Sequence, residues 1–87
     1  MFVSVMANNC SLQHWTTNSR IDHVVSDNVT GPYTWHDVAV NTWAHNPAAL
    51  DLGNGKFALV HIGNGAGSPN GGLCQTRIIK KCGQVSF

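Results

Sequence analysis

Apolar and polar positions alternate along most of this chain with a period of two, the spacing of half-buried strands, while the 3.6-residue period of a helix is nearly missing. Five strands are predicted. Phe2–Ala7 is apolar with one polar interruption. Ile21–Ser26 puts Ile21, His23 and Val25 on one face, and Thr34–Val40 puts His36, Val38 and Val40 on one face. Ala48–Leu52 is short and apolar; Phe57–Ile62 is apolar on both faces, as a central strand is.

The connections carry their own chemistry. Thr30-Gly31-Pro32-Tyr33 reads as a turn, since glycine and proline supply an unusual and a fixed φ. Asn54-Gly55 reads as a tight hairpin, because both residues tolerate positive φ. Asn8–Arg20 is a longer polar loop holding His14 and Trp15, and Gly63–Gly72 is too rich in Gly and Asn for a regular element. After Leu73 the pair Ile78-Ile79 is apolar, but no strand pattern continues. The expected organisation is an all-β antiparallel meander over residues 1–72 and an irregular tail over 73–87.

Composition narrows this picture. The chain has 87 residues and a formal net charge of +1, with no glutamate. A length of this order supports one small domain or a piece of a larger one. The chain begins inside a strand pattern, as expected of a piece. Arg77, Lys80 and Lys81 gather near the C-terminal end, but no clustered cationic surface of the kind nucleic acid requires is evident. No apolar run is long enough to cross a bilayer, and the first residues lack the basic region of a signal peptide. Neither nucleic acid nor a membrane is therefore an expected partner.

The cysteines Cys10, Cys74 and Cys82 follow no zinc-binding spacing. A disulfide between two of them and three incidental thiols both remain open. Asn9-Cys10-Ser11 and Asn28-Val29-Thr30 fit the N-glycosylation triplet. A faint repeat relates Val3–Asn9 to Leu59–Gly65, in keeping with the repeated four-stranded blades of a propeller.

The stretches SRIDHVVSDNVTGPYTWHDVAV and WAHNPAALDLGNGKFALVHIGNG resemble five-bladed β-propeller glycosidases, the arabinanase- and xylosidase-like enzymes of glycoside hydrolase family 43. The resemblance runs from about Phe2 to Gly65. It implies part of a five-bladed propeller, about one and a half blades: strands two to four of one blade and strands one and two of the next. It further implies that Asn8–Arg20, Asn41–Asn46 and Gly63–Gly72 lie at the mouth of the central channel, with Asp27–Tyr33 and Gly53–Gly55 at the opposite end. A glycan then fits Asn28 better than Asn9.

The family resembles other inverting glycosidases in pairing a carboxylate base with a carboxylic acid. Its acid is a glutamate, which this chain lacks, and its base would come from a strand before Met1. The family's acid-tuning aspartate before proline matches Asn46, which carries no charge. No catalytic residue is therefore assigned. The expectation is a secreted, extracellular glycosidase-like protein acting on polysaccharide, of which this chain alone is inactive; a non-catalytic carbohydrate-binding propeller and a small autonomous β interaction domain are the alternatives.

The candidate sugar-binding residues are His45, Asn46, Trp43, Asn9 and Trp15. His45 and Asn46 either cap the turn that holds Pro47 or hydrogen-bond a sugar. Trp43 and Trp15 either stack on pyranose faces or pack between blades. His23 and His61 alternate with apolar neighbours and are expected in the core. His14 and His36 have no partner at a ligand spacing, no two aspartates are expected to face a common site, and no metal or cofactor is assigned.

Overall fold

The computed structural model describes residues 1–65 and 74, and the backbone of 84–86. Two small antiparallel sheets make up the architecture. In the first, β1 (Phe2–Met6) pairs with β2 (Ser19–Val25), which pairs with β3 (Thr34–Val40). In the second, β4 (His45–Gly53) pairs with β5 (Lys56–Ile62), which pairs with β6 (Gln84–Ser86). All five expected strands are present, and β5 is central in its sheet as its apolar character predicts. β6 lies where no strand pattern was read, and it completes the second sheet through Leu59, Val60 and His61. The rest of the expected tail lies outside the described residues, apart from Cys74.

The turns follow their residues. Asn54 and Gly55 have φ of 54° and 74°, between the paired ends Gly53 and Lys56. Positive φ at both central positions matches the right-handed twist of the flanking strands. Between β2 and β3, Gly31 takes φ 85° and precedes a cis bond to Pro32, while the Tyr33 hydroxyl donates to the Val29 carbonyl at 2.6 Å.

Irregular pairing shapes both sheets. In β2–β3, His23 faces Asp37 and Val24 faces Trp35, so His36 is the extra residue of a bulge. In β4–β5, His45 faces Ile62 and Ala48 faces Val60, which leaves Asn46 and Pro47 opposite His61 alone. Proline has no N–H to give a ladder, so a bulge is where a strand can hold it. Asn46 takes φ 52° at this bulge. This is why β4 starts at His45 rather than at the expected Ala48.

The expected loop Asn8–Arg20 gives up Ser19 and Arg20 to β2, and the remainder contains a 3₁₀ turn at Leu12–His14 and a one-turn helix, α1 (Trp15–Asn18). Four residues are too few for an apolar period, and so short a helix stands only on tertiary support. Here the Thr17 hydroxyl donates to the His14 carbonyl at 3.3 Å, and the Ala7 N–H donates to the Asn18 carbonyl at 2.7 Å. A disulfide joins Cys10 to Cys74.

The buried core is small and shared by both sheets. Ile21 from β2, Val40 from β3, Ala44 from the connector and Leu59 from β5 form it, with Phe2 packed against them. β1 also lies beside β4, where the Asn46 N–H donates to the Ser4 hydroxyl at 2.8 Å.

Candidate functional site

At one end of the sheets the loop after β1 and the connector from β3 to β4 meet Gly63–Gly65; the rest of the expected segment Gly63–Gly72 lies outside the described residues. The Ala44 N–H donates to the Ser19 carbonyl at 2.8 Å, and the Gly65 N–H to the Trp43 carbonyl at 3.1 Å. Asn8 Nδ2 donates to Asn18 Oδ1 at 2.9 Å. Gly63 has φ 96°, and a Cβ there would collide with the Trp43 carbonyl, so only glycine lets the chain pass this close.

At this junction α1 sets the Trp15 ring against two others. Its centroid is 4.7 Å from that of His45 and 6.3 Å from that of Trp43. Trp43 is only 5% exposed, so its ring is packing here and presents no open face to a sugar. Trp15 and His45 are each partly exposed, and Asn46 and Asn9 are exposed. The Asn46 backbone is tied to Ser4 while its side chain stays at the surface. Asn9, with φ 57°, is exposed next to Cys10 of the Cys10–Cys74 bridge. Asn28 is exposed on the β2–β3 loop.

Ser19 is the partner that no spacing announces, since it lies 26 positions from His45. Its hydroxyl donates to the Ala44 carbonyl and sits 2.7 Å from His45 Nδ1. A hydroxyl has one proton, and a carbonyl can only accept. The Ser19 oxygen therefore accepts from His45 Nδ1–H, and the neutral ring carries its lone pair on Nε2. Burial lowers the pKa of His45 below the ordinary imidazole value and so favours this neutral form. Chemically the junction offers an indole face, an imidazole acceptor and primary amides, which suits polyhydroxylated ligands.

The aspartates are engaged elsewhere. Asp22 is buried and held by Arg20 at 2.8 and 3.2 Å and by Trp35 Nε1 at 3.1 Å. Asp51 accepts from the Gly53 N–H in the hairpin, and Asp27 is exposed in the β2–β3 loop. Asp37 faces His23 and His36, so the expected isolation of His36 does not hold; the bulge places it there. His61 is 2% exposed, in the core as expected, whereas His23 is only partly buried and stacks on Phe2. Compared with family models, curated proteins and solved structures, the chain matches none.

Proposed function

We propose that this chain is the carbohydrate-recognising part of an extracellular glycosidase-like β-propeller of the family 43 type, binding sugar at the Trp15–His45 junction without cleaving it. The observation that carries the reading is that junction: a partly exposed indole beside a neutral imidazole, flanked by the exposed amide Asn46. The resemblance over Phe2 to Gly65 adds to it. So do the two meander sheets, read as neighbouring blades in which strand two of the first, β1, adjoins strand one of the next, β4, at the Asn46–Ser4 bond. A disulfide fits an oxidising compartment, and the exposed Asn28 fits a glycan outside the cell.

The non-catalytic half of the reading rests on charge. Inversion needs two carboxyl groups roughly 6.5–9.5 Å apart across the sugar. The chain has four acidic residues, all aspartate, and Asp22, Asp37 and Asp51 are bound to groups away from the junction. Asn46 keeps the shape of an aspartate but not its charge.

The test is titration of the whole chain with xylo- and arabino-oligosaccharides, read by tryptophan fluorescence and amide chemical shifts. Trp15→Ala should weaken binding about tenfold, the size of one lost stacking contact of ~1.4 kcal/mol. Binding should persist as pH falls through the ordinary imidazole range, because His45 stays neutral to a lower pH. Undiminished binding in Trp15→Ala would remove the junction as the site. Turnover of aryl-xylosides or aryl-arabinosides above a no-protein control would overturn the non-catalytic reading.

A further inference from the structure

A second constellation lies on the β2–β3 ribbon, away from the junction. His23 on β2 is the register partner of Asp37 on β3, and His36 is Asp37's neighbour in sequence. In a regular strand His36 and Asp37 would point to opposite faces. The bulge removes that alternation. Two residues of β3 then oppose one of β2, and both can reach the same side of the ribbon.

The resulting geometry is close. His23 Nδ1 is 3.4 Å from Asp37 Oδ1, and His36 Nδ1 is 3.2 Å from the same oxygen. One donor atom from each of the three residues falls within 4.8 Å of the others. A tetrahedral zinc ion with arms of 2.0–2.1 Å spaces its ligand atoms by about 3.3 Å. Two of the three edges already have that length.

We propose that His23, His36 and Asp37 form a three-ligand zinc site. The donor set excludes the hard oxygen-seeking cations and suits zinc, as it also suits ferrous iron. Two imidazoles and one carboxylate suit zinc, whereas calcium and magnesium want six or more oxygens. The Phe2 ring stacks on His23 with centroids 4.9 Å apart and planes 20° from parallel, which fixes the plane of that ligand. His23 and Asp37 also line a recess of 260 Å³ with Phe2, Val40, Phe57 and Leu59, so open space adjoins two of the three ligands. With three protein ligands and one open place, this is the pattern of a reactive or ligand-accepting zinc rather than of a closed structural one.

The experiment is calorimetric titration of the whole oxidised chain with zinc chloride, in a Cys82→Ser background so that no free thiolate competes. One zinc per chain is expected. His36→Ala and Asp37→Asn should each weaken it tenfold or more, while His14→Ala leaves it unchanged. His36 and Asp37 are both exposed, so their variants should keep the metal-free thermal melt of the parent. In the parent, zinc should move the imidazole resonances of His23 and His36 together. Absence of binding at millimolar zinc would overturn the site. So would equal affinity in His36→Ala and Asp37→Asn, or loss of binding in His14→Ala.

Discussion

The two ends of the molecule are built by opposite means. At the junction end, Trp43 and Ala44 are buried, Gly63 threads past Trp43, and hydrogen bonds join segments far apart in sequence. At the other end of the second sheet, the β4–β5 hairpin is shaped by local groups, Asn54-Gly55 and the Gly53–Asp51 hydrogen bond, and leaves Leu50, Leu52 and Phe57 about half exposed. Long-range contacts hold the first; local turn chemistry holds the second. Order at the junction therefore depends on the whole chain, whereas the hairpin depends on residues within a few positions of its turn.

Substitutions should separate the two ends clearly. The largest effect is expected from replacing Cys10 and Cys74 together by serine. That opens a link across 64 positions and should cost about 4 kcal/mol by chain entropy, read as a fall in the denaturant midpoint. Gly63→Ala should cost at least ~2 kcal/mol, through positive φ and the collision with the Trp43 carbonyl. A melt unchanged by Gly63→Ala would show that the junction is looser than its bonds imply. The smallest effect belongs to Leu50→Thr, which should move stability by no more than about 0.5 kcal/mol, because Leu50 is 59% exposed. A large loss there would mean that the hairpin face is covered in solution, and the contrast between the ends would fail.

The same contrast explains what could be read from residues alone. Turn chemistry is local, so Asn54-Gly55 and the alternation in Thr34–Val40 announce their strands. The meeting of the three end segments followed only from a resemblance and strand direction. The Ser19–His45 bond, between residues 26 positions apart, has no local sign, whereas the bulge between β4 and β5 has one in Pro47. There is none for α1, which is one turn long and rests on the packing of Trp15. The His36 bulge is the clearest case. Strict alternation sends Asp37 to the opposite face, and a one-residue slip in pairing reverses that assignment without altering any residue type. β6 has no local sign either, because it pairs with Leu59, Val60 and His61 far upstream, beyond any short-range pattern.

The bridge between Cys10 and Cys74 also has a topological meaning. It closes a covalent ring that contains β2, β3, β4 and β5, and with them Trp15, Ser19, His45 and the His23–His36–Asp37 cluster. The exposed loop between β2 and β3 belongs to that ring. A protease that cuts there once opens the circle but releases no fragment, so nicked and intact chains have nearly the same mass until a reductant parts them.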